Sequence, residues 1–192
     1  NAITGSLTSN LTINSNLIGT LVMDQTSAAT RTLGTFTIGS SGSVTLGNLL
    51  NINTTLALNG SLADGGFTIA NAGNITGTGT HTGSGLMNMA GSAVQSVSGA
   101  TLQNVTLNNA SGASLTGSPV INGTLTLTNG KVTGGANTVT ANGTVTGAST
   151  SSYIKGTLIR PITSGGTITF DVGDNTYAKV DMAFTGGSPA GN

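Results

Sequence analysis

The chain contains no cysteine and no tryptophan, and only 3% of its 192 residues are aromatic. Without thiols it has neither a disulfide framework nor a thiolate metal site. The shortage of large aromatic side chains predicts a thin interior built from Val, Ile, Leu and Ala. A long, narrow core without disulfides favours a repeat architecture, in which neighbouring coils stabilise one another.

Charge is equally scarce. Charged residues make up 5% of the chain, glutamate is absent and the formal net charge is zero, whereas about a quarter of an ordinary domain is charged. The lack of a basic patch argues against nucleic acid as a partner. Disordered chains combine low hydrophobicity with high net charge, so we interpret this neutral, β-branched-rich chain as folded. A neutral surface also permits copies to associate.

Long apolar runs are missing too. No run approaches ~20 residues, so no segment is predicted to span a bilayer as a helix. No basic and apolar leader opens the sequence, so we expect a secreted protein to be present here as a mature or excised piece.

The chain does contain a long internal self-similarity, because residues 101–148 resemble residues 32–78 and place Val105 on Phe36. A repeat of about 70 residues is too long for one structural rung, and a shorter period lies inside it. Hydrophobic residues, all but Phe36 aliphatic, recur at intervals of nineteen or twenty: Phe36, Leu56 and Ile75, and then Val105, Leu125 and Val145. This spacing is typical of a solenoid coil.

The local pattern is that of short strands. Apolar and polar residues alternate over three to five positions between clusters of Gly, Asn, Asp and Ser, as at Gly39–Gly42 and Asp64–Gly66. Such period-two runs indicate strands. Essentially no α-helix is predicted, with residues 26–30 as the only plausible helical turn.

These patterns together predict an all-β fold. We expect residues 1–150 to form a right-handed parallel β-helix, or β-solenoid, with coils of about 20 residues. Roughly seven coils rising by ~4.8 Å each would give a rod on the order of 35 Å long. The two aliphatic sets should each form an inward column, with Thr at the outward positions.

The composition changes after residue 150, where most of the charged residues lie. Residues 151–192 are predicted to be a separate antiparallel β segment, either a cap or the start of another module. Two strands around Phe170 and Val180 would be joined by a turn at Gly173–Thr176. Residues 186–191 read as a linker-like tail.

Candidate chemistry is sparse. His81 is the only imidazole and lies among Thr and Gly, and its nearest acids in sequence are Asp64 and Asp24. A catalytic or ligand role would need partners, so we interpret His81 as a solvated loop residue. Enzymes that cleave polysaccharides on β-helices need acidic pairs, or Asp with Arg or Lys on one face. The acids here cluster only at Asp171, Asp174 and Asp181. We therefore predict no enzyme, and no catalytic, cofactor-binding or metal site.

Calcium is the alternative at that cluster. Asp171, Asp174 and Asn175 offer oxygen ligands, but their spacing matches no established calcium loop. A hairpin turn with solvated Asp residues is the favoured interpretation.

Several segments carry a family resemblance: Val94–Gly99, Leu102–Asn109, Gly123–Gly130, Ser151–Arg160 and Phe170–Tyr177. They resemble repeats of large secreted surface proteins of Bacteroidota-like bacteria, which are β-strand-repeat adhesins commonly exported by the type IX route. In those proteins a Phe-Pro-Val-Gly motif is usual, and here it is Phe170-Asp171-Val172-Gly173. The resemblance implies an extracellular, cell-surface location and no catalytic activity.

The expected function is therefore that of a non-catalytic structural or adhesive unit of a surface adhesin or of a self-assembled filament. The ends of a solenoid are open sheet edges, so the expected partners are copies of the chain joined head to tail, or flanking repeats. One alternative is ice binding through outward Thr-x-Thr pairs such as Thr35/Thr37 and Thr124/Thr126. Another is binding of surface glycans, for which Tyr153 and Tyr177 are the only tyrosines.

Overall fold

The computed structural model describes residues 2–162 and 166–184, and these contain twenty-one β-strands and no helix. Parallel strands stack as a β-solenoid of about 7 turns with ~19 residues per turn, followed by antiparallel strands. The predicted fold class is confirmed. Residues 26–31 form hydrogen-bonded turns without helix.

The strands, in chain order, are β1 (Asn10–Ile13), β2 (Asn16–Leu21), β3 (Thr32–Ile38), β4 (Ser43–Leu46), β5 (Leu50–Leu58), β6 (Ser61–Ala63), β7 (Thr68–Asn71), β8 (Asn74–Thr76), β9 (Thr80–Thr82), β10 (Leu86–Met89), β11 (Gln95–Val97), β12 (Thr101–Leu102), β13 (Val105–Asn108), β14 (Ala113–Leu115), β15 (Val120–Ile121), β16 (Leu125–Asn129), β17 (Val132–Ala141), β18 (Val145–Thr146), β19 (Ile154–Ile159), β20 (Gly166–Gly173) and β21 (Tyr177–Phe184).

The strands form three parallel stacks, one on each side of the rod. Stack A contains β1, β3, β5, β8, β11, β14, β17, β19 and β20. Stack B contains β3, β5, β7, β10, β13, β16 and β18. Stack C contains β2, β4, β6, β9, β12, β15, β17 and β19. The four strands that appear twice run through a corner of the rod.

Both predicted aliphatic columns exist. In stack A, Leu56 pairs with Phe36 on one side and Ile75 on the other. In stack B, Leu125 pairs with Val105 and with Val145. All of these side chains are buried, so one aliphatic position per turn builds a continuous column inside the rod.

The two columns nevertheless lie on different sides of the rod. Phe36 pairs with Leu11 in stack A, whereas Val105 pairs with Met87 in stack B. At ~19 residues per turn, a repeat of about 70 residues spans about three and two-thirds turns. The internal similarity therefore superposes one side of the rod on another, because each side uses the same alternation of aliphatic and Thr residues.

Two hydrophobic residues at corners of the rod depart from the alternation of buried and exposed side chains. Phe67 is 38% exposed although Ile69, two residues later, is buried, because Phe67 follows a turn in which Gly65 and Gly66 have positive φ. Val94 is exposed in the corner before β11, whereas Val97 is buried. Alternation thus predicts side-chain direction within strands and fails at the corners between them.

Beyond residue 150 the parallel pairing continues, since β19 pairs with β17 and β20 pairs with β19. β20 and β21 then form the predicted antiparallel hairpin, in which Gly173 pairs with Tyr177 across the turn. Phe170 and Val172 pack on the end of the core. The linker-like tail predicted at residues 186–191 lies outside the described residues.

The column model makes a prediction for Leu56. Replacement Leu56→Ala should lower the free energy of unfolding by about 2–5 kcal/mol, because it leaves a cavity between Phe36 and Ile75. Its outward neighbour is the matched control, and Thr55→Ala should change stability by less than about 0.5 kcal/mol. Urea denaturation measures both, and equal losses would contradict the inward column.

Candidate functional site

His81 lies inside the rod, not in a solvated loop, so that interpretation was wrong. It occupies the inward position of β9, where Leu62 pairs with it from the preceding turn. Thr80 pairs with Thr101 in the following turn, which brings Leu102 to its other side. The inward column of stack C runs through Val44, Leu62, His81, Leu102, Ile121 and Ala141.

The partner of His81 is Asp64, which directly follows β6 and is also fully buried. The Nε2 atom of His81 lies 3.0 Å from Oδ2 of Asp64. The other carboxylate oxygen of Asp64 accepts hydrogen bonds from the backbone N–H groups of Gly66 (2.7 Å) and Gly85 (2.9 Å). Both oxygens of the buried carboxylate therefore have donors, as a buried charge requires.

The second ring nitrogen is also occupied. Nδ1 of His81 accepts a hydrogen bond from the backbone N–H of Gln103 at 3.3 Å. An accepting Nδ1 requires a neutral ring with its proton on Nε2, which then donates to Asp64. Burial lowers the pKa of His81 below its ordinary value of 6.5, and the attraction of Asp64 opposes this shift without cancelling it.

Glycine makes the close approach to the carboxylate possible. A Cβ atom at Gly83 would lie 2.1 Å from Oδ1 of Asp64, and the backbone there has φ of +115°. Any other residue at this position would displace the carboxylate and strain the backbone. The Gly-rich sequence around His81, which looked like a loop, is what admits the buried pair.

The carboxylate of Asp64 orients the imidazole of His81 in the way that an Asp orients the catalytic His of a Ser-His-Asp triad. Both side chains, however, have 0% exposure, so neither meets solvent or a substrate there. The chemistry that the geometry supports is a fully satisfied hydrogen-bond network inside the rod.

A second buried polar group fills the corner between stacks B and A. The Nε2 atom of Gln95 donates to the backbone carbonyls of Asn71 (3.0 Å) and Gly73 (2.6 Å). Its Oε1 atom accepts from the side chain of Asn109 and from the backbone of Gly91, both at 3.0 Å. The side-chain amides of Gln95 and Asn109 are both buried at this corner, although polarity alone would place them outside.

The acidic residues of the hairpin do not converge on a common site. Asp171 accepts a hydrogen bond from the hydroxyl of Tyr177, and this bond is the main reason that the pKa of Tyr177 rises to about 12. Asp174 pairs with Lys155 at 3.1 Å and Asp181 with Lys179 at 3.0 Å. Within residues 2–162 and 166–184, no three His, Cys, Asp or Glu side chains come together as metal ligands.

The favoured interpretation of the hairpin acids holds for Asp174, whose side chain is 79% exposed, but not for Asp171, which is buried. Asn175 is exposed in the turn. The calcium alternative therefore finds no grouped ligands in the described part of the chain.

Neither tyrosine offers an open aromatic platform. Tyr153 is fully buried, donates from its hydroxyl to the backbone carbonyl of Asp174 at 2.9 Å and lies under the ammonium group of Lys131. The ring of Tyr177 packs 5.8 Å from that of Tyr153. Both rings instead fasten the hairpin to the rod.

The outward surface of the rod is uncharged over most of its length. Between residues 32 and 130 the only formally charged residue is the buried Asp64. The Thr-x-Thr pairs divide among the stacks, with Thr35/Thr37 in stack A and Thr124/Thr126 in stack B. One hydroxyl and amide file runs unbroken along stack A: Asn10, Thr35, Thr55, Asn74, Ser96, Ser114 and Thr133.

Comparison with known proteins gives no family for this chain: no family model, no curated protein and no solved structure matches it. The described residues include no helix that is long and apolar enough to cross a membrane.

Among the charged residues of the chain, replacement of Asp64 should lower stability the most. Asp64→Ala removes the acceptor of His81 and of two backbone N–H groups, so it should cost about 3–5 kcal/mol of stability. Asp174→Ala breaks an exposed pair and should cost less than about 1 kcal/mol. Chemical denaturation compares them, and a small effect at Asp64 would contradict the buried network.

Proposed function

We propose that the chain is a non-catalytic, extracellular structural or adhesive solenoid, a unit of a bacterial surface adhesin or of a self-assembled filament. The observation that carries this proposal is where its exposed apolar side chains lie. Nine large hydrophobic residues are exposed among the described residues, and seven of them lie in the first turn or at the C-terminal end of the rod: Ile3, Leu7, Ile18, Ile159, Ile162, Val180 and Met182.

Unpaired strand edges lie at the same two ends. Among the described strands, β1 pairs only with β3 and β2 pairs only with β4. At the other end β21 pairs only with β20. Open edges next to exposed apolar side chains favour the addition of further strands.

The hairpin extends the hydrophobic core through β20 but leaves apolar side chains of β21 exposed. Phe170 and Val172 of β20 pack against the core, while their cross-strand partners Val180 and Ala178 on β21 are exposed. A further layer of strands would cover them. The partner in this proposal is another copy joined head to tail, or a flanking repeat, and such a heterologous contact generates an open filament.

The sides of the rod support the same role. A surface without charge from residue 32 to residue 130 offers no repulsion between neighbouring rods. The extracellular location and the adhesive role rest on the resemblance of the repeat segments to secreted surface proteins.

Electron microscopy of the purified chain tests the assembly. Filaments or end-to-end chains of short rods are expected, and Met182→Lys should abolish them because it places a charge at the joint. Phe67→Lys changes an exposed hydrophobic residue in the body of the rod and should leave the assemblies intact.

A uniform population of single rods at high concentration would exclude the filament. The proposal would then reduce to its other form, in which the chain is one structural unit of a longer adhesin. Loss of assembly in both variants would show that the contact is not at the ends.

Ice binding is a second candidate, favoured by the unbroken file of hydroxyl and amide groups along stack A. Successive members are one strand spacing apart, about 4.8 Å. Two residues further along each strand lies a parallel file with Thr12, Thr37 and Thr76, which Ala57 interrupts between Thr37 and Thr76. The unbroken first file is an uncharged row of hydroxyl and amide groups of the kind that could order water.

Thermal hysteresis measures this activity. The chain should depress the freezing point below the melting point, and Thr37→Lys in stack A should remove the effect. Thr45→Lys in stack C should leave it unchanged. No hysteresis at high protein concentration would rule out ice binding.

A further inference from the structure

We propose that Asp64 and His81 form an acid-sensitive clasp across three successive turns of the solenoid. Asp64 and Gly66 belong to one turn, His81 and Gly85 to the next, and Gln103 to the third. Four hydrogen bonds of 2.7–3.3 Å connect these groups. The clasp lies in the body of the rod. Asp64 and His81 are the only polar inward residues of stack C between Val44 and Ala141, and the others are hydrophobic or Gly.

The clasp works only with a neutral imidazole. The proton that acid adds has one site on the ring, the lone pair of Nδ1, which already accepts the N–H of Gln103. A protonated ring donates from both nitrogens, so two N–H groups would face each other at Nδ1. The bond to the third turn must then break, and the ring must carry its charge in a buried site.

The surroundings offer little to stabilise that charge. β6 and β12 are the strands that flank β9 in stack C. On the β6 side the ring meets the carboxylate of Asp64, which already accepts hydrogen bonds from two backbone N–H groups. On the β12 side it meets Leu102 and the backbone of Gln103. Among residues 32–130 no other titratable side chain exists besides Asp64 and His81.

The direction of the pH effect follows from proton linkage. Since burial holds the pKa of His81 below 6.5 in the folded chain, the unfolded chain binds a proton at a pH where the folded chain does not. Stability is then complete above about pH 6.5 and falls as the pH drops towards the folded-state pKa. The sequence has no Glu or Cys and a single His, and His is the side chain whose ordinary pKa lies between about pH 5 and pH 8.

NMR titration of the single imidazole tests the proposal without any mutation. The ring is expected to titrate below pH 6.5, and the amides of Gly66, Gly85 and Gln103 should lose hydrogen-exchange protection as it does. An imidazole that titrates at its ordinary value, with those amides unaffected, would overturn the proposal.

The variant His81→Gln distinguishes the loss of stability caused by protonation of His81 from other effects of acid on the chain. The glutamine amide can donate to Asp64 and accept from Gln103, but it does not titrate. Between about pH 7.5 and pH 5 the wild-type Tm should fall by several degrees, since a tenfold change in the folding equilibrium corresponds to about 3–6 °C at this chain length. The variant should fall much less.

Equal acid sensitivity of wild type and variant would refute the clasp. If the variant does not fold, the titration and exchange measurements on the wild-type chain decide the question by themselves. Asp174→Asn serves as the control for an exposed acidic group and should keep the wild-type pH dependence.

Discussion

The interaction on which this molecule depends is the parallel ladder between successive turns. A strand of three residues satisfies none of its backbone groups internally, so its N–H and C=O groups must pair with the turns on either side. The ladder fixes which residues lie one above another. Along stack A the interval between successive inward residues varies from 18 to 22 positions, from Phe36 through Leu56, Ile75 and Val97 to Leu115. The corners absorb this variation and the columns stay aligned.

The same constraint explains how polar groups enter so thin a core. An inward position holds a polar side chain where every donor and acceptor finds a partner, because an unpaired buried group is costly. Asp64, His81 and Gln95 meet this condition with the help of backbone groups of neighbouring turns. Asn71 does so incompletely, since its Oδ1 atom is buried without a partner. Glycine at adjacent corners allows the backbone to come within hydrogen-bonding distance.

Sequence patterns predicted the solenoid because the ladder brings a hydrophobic residue to the same inward position about once per turn, as at Leu56 and Leu125. They did not reveal which side of the rod each column occupies, since all three stacks use the same alternation. The prediction that His81 is solvated was wrong because it rested on the polarity of the side chain. Its position between Thr80 and Thr82, which both point outward, indicates an inward side chain. Its partner lies one turn away, and only the register between turns brings Asp64 to it. Corner residues such as Phe67 follow backbone turns that alternation does not describe.

The hairpin of β20 and β21 gives the rod a direction. Every strand pair before it is parallel, whereas β21 runs opposite to all of its predecessors in stack A. β21 therefore presents a reversed strand at one end of the rod, while β1 at the opposite end belongs to a parallel ladder. The two termini of the rod are chemically unlike, so a polymer of such rods would be polar, with growth at its two ends proceeding at different rates.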